Sequence, residues 1–205
     1  VTAPINKSAV IASGVQGFSG HTEMLADAFG ISNVEMMFAG GPFKTIIATR
    51  HIPLSRVPSA ITRDSLLSTI RLARACLTKT FKIRNPNIAV CGVNPHAGEG
   101  GRIGREEIDV ICPAVEAARA EKIRIDGPLA ADTLFIPFNA KKYDLIIAMY
   151  HDQGLTPIKA MYFTKLVNVT IGLPFIRTST AHGTAEDIAG KNQADPSSMI
   201  EALLL

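Results

Sequence analysis

Three histidines in this sequence have the residue type and placement for metal chemistry, and each follows a short apolar run. His51 comes after Thr45 to Thr49 (TIIAT), His96 after Asn87 to Val93 (NIAVCGV), and His151 after Asp144 to Tyr150 (DLIIAMY). The last run is apolar without a helical period, as a buried strand is, and the β-branched run before His51 reads the same way. Three strands would thus each deliver an imidazole just past their carboxyl ends, the edge at which open α/β sheets bind ligands. Imidazole is the commonest nitrogen ligand for zinc and related divalent ions, and three protein ligands with open positions make a catalytic centre. The separations, 45 and 55 residues, match no local zinc signature, so only the fold can assemble the set. The bland alternative is that each histidine merely caps a loop.

The elements that must position these residues follow from pattern and punctuation. His96 lies in the loop Asn94 to Gly104 (NPHAGEGGRIG), whose four glycines imply positive φ or close backbone approach, as at a ligand. Strand, glycine loop and helix also suit a dinucleotide loop, but the glycines are not in the GxGxxG frame. A helix should start at Glu106 and Glu107 with Ile108, Ile111, Val115 and Ala118 inward, kinked near Pro113. Between Gly17 and Gly30, Ser19 or Thr22 can cap a helix running to Ala28, with Gly30 ending it. His21 and Thr22 then sit at a helix N-terminus, where free amides and the dipole favour an anion such as phosphate. Plain capping with a solvated histidine is the equal alternative.

Val34 to Phe38 and Thr45 to Thr49 read as strands of a hairpin turning at Gly40 to Pro42, and Leu66, Ile70, Ala73, Leu77 and Phe81 mark a helix from Arg63. Ile123 to Ile125 is a short strand, and Gly127 to Thr133 is a loop leading into a short helix. Beyond Tyr150 to Gly154 (YHDQG), the segment Leu155 to Phe163 reads as a helix carrying Lys159. Leu166 to Gly172 reads as a strand whose polar exception, Asn168, must be satisfied by a ligand or by an internal network. Arg177 stands in an otherwise apolar stretch before a glycine- and hydroxyl-rich loop, with a structural ion pair as the bland reading. Pro196 should be the first residue of the last helix. This order predicts a largely parallel α/β sheet with right-handed crossovers.

A chain of 205 residues that is 47% hydrophobic and 19% charged is globular rather than disordered. The net charge of +3 comes from scattered basic residues without interleaved aromatics, which argues against nucleic acid and suits an anionic small molecule. Cys76, Cys91 and Cys112 form no CxxC pair and fit a reducing compartment. No apolar run approaches the roughly 18 residues of a membrane span and no leader opens the chain, so the expectation is a soluble cytoplasmic protein. Val1 and the mid-helix ending Leu203-Leu204-Leu205 suggest a part of a longer polypeptide.

The chain resembles the 4-hydroxythreonine-4-phosphate dehydrogenase family of pyridoxal phosphate biosynthesis. The resemblance rests on VTAPINK (Val1 to Lys7), SGHTE (Ser19 to Glu23), RHIPL (Arg50 to Leu54), NPHAGEGG, ADT (Ala131 to Thr133), YHDQG, GLPFIRTS (Gly172 to Ser179) and HGTAEDIAG (His182 to Gly190). These motifs occur in order over nearly the whole chain. It implies the two-domain fold of isocitrate and isopropylmalate dehydrogenases, with parallel or mixed sheets flanked by helices. Residues 1–155 would form a metal- and substrate-binding α/β domain, and 156–205 the return segment of a nucleotide-binding domain whose N-terminal portion is missing. It also implies that His51, His96 and His151 are the ligands of a divalent metal such as zinc, magnesium or cobalt. His21, Thr22, Lys159, Asn168 and Arg177 would be substrate contacts, with Lys159 and Asp152 as candidate bases. NAD or NADP would be held by His182, Gly183, Thr184, Ala185, Asp187 and Asn192. The family is a homodimer with a shared active site, so His151 would complete the partner's metal site. Ala130 stands where the family usually has proline, and Arg50 replaces a common threonine beside the first metal histidine. The implied reaction is oxidation of 4-phosphohydroxy-L-threonine. A paralogue acting on another hydroxy acid phosphate or a cis-dihydrodiol, a metal-dependent hydrolase or aldolase, and an inactive fragment are the competing readings.

Overall fold

The computed structural model describes residues 1–205. Seven strands form one sheet: β1 (Glu35–Gly40), β2 (Phe43–Thr49), β3 (Asn87–Cys91), β4 (Arg124–Leu129), β5 (Leu145–Tyr150), β6 (Val167–Ile171) and β7 (Arg177–Thr180). They lie in the order β4-β3-β5-β2-β1-β6-β7. The β4-β3, β3-β5 and β5-β2 pairs are parallel, while β2-β1, β1-β6 and β6-β7 are antiparallel. The sheet is therefore mixed rather than largely parallel. The expected hairpin at Gly40 to Pro42 is the reason, because its two-residue turn reverses the chain between β1 and β2.

Period-2 alternation sends successive side chains of a strand to opposite faces, and both faces are covered. Ile147 and Met149 of β5 join Leu66, Ile70, Ala73 and Leu77 of the helix Arg63–Lys79 and Val115 and Ala118 of Cys112–Ala120 in the larger core. Ile146 and Ala148 face the other way, onto Leu155 and Ile158 of the helix His151–Tyr162. That helix starts at His151 itself. It settles close to the sheet because Gly154 has no side chain: a Cβ there would lie 3.0 Å from Ala148 Cβ and 3.1 Å from Thr45 Cγ2. The Arg63–Lys79 helix begins in a capping box, with the Thr62 and Ser65 hydroxyls each accepting the other residue's backbone N–H.

Four local expectations are corrected. Thr178 to Thr180, expected in a loop after Arg177, belong with it to the strand Arg177–Thr180, because these hydroxyl-bearing residues are buried and pair with β6, a contact local pattern does not reveal. The helix at Glu107 opens as a π turn, Glu107–Ile111, before the α-helix Cys112–Ala120. Pro113 offers no N–H to the carbonyl four residues back, and the wider turn stands directly before it. Within that turn Ile108 is 39% exposed and Glu107 is buried, against expectation, while Ile111, Val115 and Ala118 are buried as expected. Gly20, with no side-chain hydrogen bond, is the N-cap of His21–Ala28 in place of Ser19 or Thr22. Pro196 likewise caps Ser197–Leu204 from outside the first turn.

Candidate active site

Because β2 and β5 are adjacent and parallel, with Thr49 paired to Tyr150, His51 and His151 emerge side by side. Their ring centroids are 5.6 Å apart and the rings are tilted by 45°. Two hydrogen-bonding residues fix the strand ends beneath them. Thr49 Oγ1 donates to the Met149 carbonyl at 2.7 Å. Gln153 accepts the Met149 N–H at 2.6 Å and donates to the Gly92 carbonyl at 2.7 Å, which ties β5 to the exit of β3. Asp152 Oδ1 lies 2.7 Å from His151 Nδ1 and so orients that ring with Nε2 left open. Burial pushes the His51 pKa below its ordinary value, helped by the charges of His151, Lys7 and Arg50. A neutral imidazole, the form that ligates a cation, is therefore favoured there.

His96 does not join this pair. No group of three or more His, Cys, Asp or Glu side chains stands close enough within the chain to hold a metal. Its Nδ1 meets Glu99 Oε1 at 2.7 Å, and that hydrogen bond raises its pKa. The loop carrying it is left-handed over five successive residues, His96, Ala97, Gly98, Glu99 and Gly100, with φ between 44° and 78°. For the non-glycine residues this costs on the order of 1–2 kcal/mol each, so surrounding contacts must hold the loop. The buried Glu107 carboxylate does so, accepting the N–H groups of Val93 and Asn94, both at 2.8 Å, and Asn94 Nδ2 at 2.9 Å. Gly98 admits it, since a Cβ there would lie 2.5 Å from Glu107 Oε2.

Beside His51 a cavity of about 380 Å³ is lined by His21, Thr22, Asn168, Arg177 and His182, together with Lys7, Glu23, Arg50 and Thr180. Arg177 is 7% exposed and has no carboxylate partner. Its hydrogen bonds all go to neutral hydroxyls: Nε and Nη2 to Thr2 Oγ1 at 3.2 and 2.8 Å, and Nη1 to Thr22 and Thr170 Oγ1 at 3.2 and 2.8 Å. Burial lowers its pKa, partly offset by Glu23. Burial, then Arg177, also lowers the pKa of His21. A buried guanidinium with no carboxylate in ion-pair contact is the condition an anionic ligand relieves. Asn168 Oδ1 and Thr180 Oγ1, on the same wall, are shielded atoms without a hydrogen-bond partner in the chain.

Lys159 lies half-buried on the helix His151–Tyr162, outside this lining. Of the expected nucleotide loop, only His182 reaches the cavity, while Gly183, Thr184, Ala185, Asp187 and Asn192 are exposed. Ala185 and Asn192 are left-handed, and Glu186 ties the loop to Asn6 Nδ2. Lys7, Gln153 and Arg50 belong to motifs quoted from the sequence, yet only the fold reveals their placement. Glu107 had no sequence signal, because a carboxylate at a helix start ordinarily reads as solvated.

Comparisons with known proteins place the chain in one family. The family model "Pyridoxal phosphate biosynthetic protein PdxA" matches residues 1–205. The 4-hydroxythreonine-4-phosphate dehydrogenase of Aromatoleum aromaticum is 52% identical over 205 residues, covering 100% of this chain and 63% of that protein. A crystal structure of 4-hydroxythreonine-4-phosphate dehydrogenase from Klebsiella pneumoniae superposes with a TM-score of 0.89 at 40% identity, over 100% of this chain and 63% of that one. Isocitrate dehydrogenase from Methylococcus capsulatus shares the fold alone, with a TM-score of 0.54 at 16% identity over 98% of this chain and 64% of that one. The chain thus spans somewhat less than two thirds of the curated relatives it matches.

Proposed function

The chain belongs to the pyridoxal phosphate biosynthetic protein PdxA family, and from that membership we propose that it works as a nicotinamide- and divalent-metal-dependent dehydrogenase of a phosphorylated hydroxy-amino acid. The substrate is 4-phosphohydroxy-L-threonine, oxidised to 2-amino-3-oxo-4-phosphooxybutanoate, which loses carbon dioxide to give 3-amino-2-oxopropyl phosphate. The observation that carries the reading is the buried Arg177, whose hydrogen bonds go to neutral hydroxyls and not to a carboxylate, in a cavity beside a pair of imidazoles.

The donor chemistry fits both absent groups. His51 and His151 offer neutral imidazole nitrogens for a divalent cation, and the exposed hydroxyl, amide and carboxylate of Thr184, Asn192 and Asp187 suit the ribose and adenine of NAD. A divalent metal held there would supply Lewis acidity at the substrate hydroxyl, and a nicotinamide would supply the hydride acceptor. The protein's own part is orientation and charge. Arg177, His21, Thr22 and Asn168 hold anionic groups and fix the reacting carbon, and Asp152 keeps His151 in one ring orientation. The hydroxyl proton must pass to a base, for which Lys159 and Asp152 remain the candidates. We further propose a cytoplasmic homodimer whose active site is shared, with Lys159 and His96 of one chain reaching the cavity of the other; His151, expected to complete the partner's site, stands beside His51 of its own chain.

Isothermal calorimetry with 4-phosphohydroxythreonine and its dephosphorylated acid tests the cavity. The wild type should prefer the phosphorylated compound by at least about tenfold, and Arg177→Met should abolish the preference. Equal affinity for the two acids in the wild type would sink the reading.

A further inference from the structure

Arg177 has already committed most of its donors, whereas a second guanidinium in the same cavity has committed none. Of the five N–H groups an arginine carries, Arg177 gives four to the hydroxyls of Thr2, Thr22 and Thr170. Arg50, half-buried at the end of β2, makes no side-chain hydrogen bond or ion pair, and its Nη1 is shielded from solvent without a partner. Such an unpartnered donor costs free energy until a ligand supplies an acceptor.

The surroundings favour an anion rather than an internal partner. Glu35, the carboxylate that influences Arg50 electrostatically, already accepts Thr69 Oγ1 at 2.9 Å, and burial pushes its pKa up toward the neutral form. Lys7 lines the same cavity, its Nζ 3.7 Å from the point a Gly20 Cβ would occupy. The lining carries three cations, Lys7, Arg50 and Arg177, against one carboxylate, Glu23. One anionic group could satisfy the remaining Arg177 donor and still leave the open fork of Arg50 unused.

We propose that Arg50 and Lys7 form a second anion subsite in this cavity, fitted to a carboxylate, and that Arg50 makes the site select ligands with two separate anionic groups. A planar guanidinium with its donors free can take a carboxylate through two parallel hydrogen bonds, which a lysine cannot reproduce. The inference rests on the reading of this cavity as the substrate site.

Calorimetry on the wild type, Arg50→Met and Arg50→Lys, each checked for an unchanged melting temperature, tests it with two probes. One is 4-phosphohydroxythreonine; the other is phosphoethanolamine, a phosphate monoester without a carboxylate. Arg50→Met should weaken the phospho-acid by at least about tenfold and leave phosphoethanolamine within about threefold, with Arg50→Lys in between. If the wild type binds both probes and Arg50→Met weakens them equally or not at all, the subsite is refuted while the functional reading stands. If the wild type binds neither probe, both fall together. Should Arg50→Met prove unstable, Arg50→Lys alone decides: an undiminished preference for the phospho-acid overturns the assignment of a paired contact.

Discussion

Removing the Glu107 carboxylate should release the His96 loop. In Glu107→Ala the N–H groups of Val93 and Asn94 lose acceptors at 2.8 Å, and Asn94 Nδ2 loses one of two, its bond to Glu106 Oε2 at 2.7 Å remaining. A buried donor left unsatisfied costs about 1–3 kcal/mol. Both backbone sites are only part-buried, so water can recover some of the loss, and about 3 kcal/mol in total is the working figure. For a chain of this length that lowers the melting temperature by roughly 6–12 °C. Glu107→Gln keeps one oxygen for the two amides and should cost about 1–2 kcal/mol. Urea unfolding followed by circular dichroism, with equal slopes for wild type and variants, gives the free energies. Amide hydrogen exchange at Val93 and Asn94 should accelerate in Glu107→Ala ahead of the sheet. A loss below about 1 kcal/mol with unchanged exchange would refute the claim that this carboxylate holds the loop.

Gly98→Ala should destabilise by about 2–3 kcal/mol, since it places a Cβ 2.5 Å from Glu107 Oε2 at a φ of +78°; urea unfolding within about 0.5 kcal/mol of wild type would contradict that. Glu35 makes a pH prediction. Its pKa is raised by burial, against the hydrogen bond from Thr69 and the charge of Arg50. A carboxyl raised in the folded state releases its proton first in the unfolded chain, so its contribution is complete below the ordinary carboxylate range and declines as pH rises through the raised value. Glu35→Gln should flatten the fall in stability above that range and gain on wild type toward neutrality, read from melting temperatures across pH. A fall of the same size in both proteins would show that Glu35 is not its source.

The parts legible in the sequence are those with local causes. The strands before His51, His96 and His151 declared themselves as apolar runs, and the Arg63–Lys79 helix by its stripe and cap. What stayed hidden depends on partners distant in the chain. Thr22 looked like a cap but accepts from Arg177, 155 residues away, and Thr2 meets the same guanidinium across 175 residues. β7 escaped notice because RTST has little apolar character and owes its burial to β6 and the last helix, where Thr178 Oγ1 donates to the Ala202 carbonyl. Lys159, a substrate contact only by family resemblance, lies off the cavity, whereas Lys7, at the start of the helix Lys7–Ala12, and Arg50, at the end of β2, both line it.

The most direct test of the dehydrogenase reading is the initial rate of reduced nicotinamide formation, followed by absorbance, from 4-phosphohydroxythreonine and NAD with and without added divalent metal. The polypeptide should be the full chain, as wild type and as His51→Ala. Turnover that requires the metal and falls by at least about a hundredfold in His51→Ala is the expected result. Turnover indifferent to metal and to His51, or none from a metal-loaded protein that binds the phospho-acid, would contradict the account.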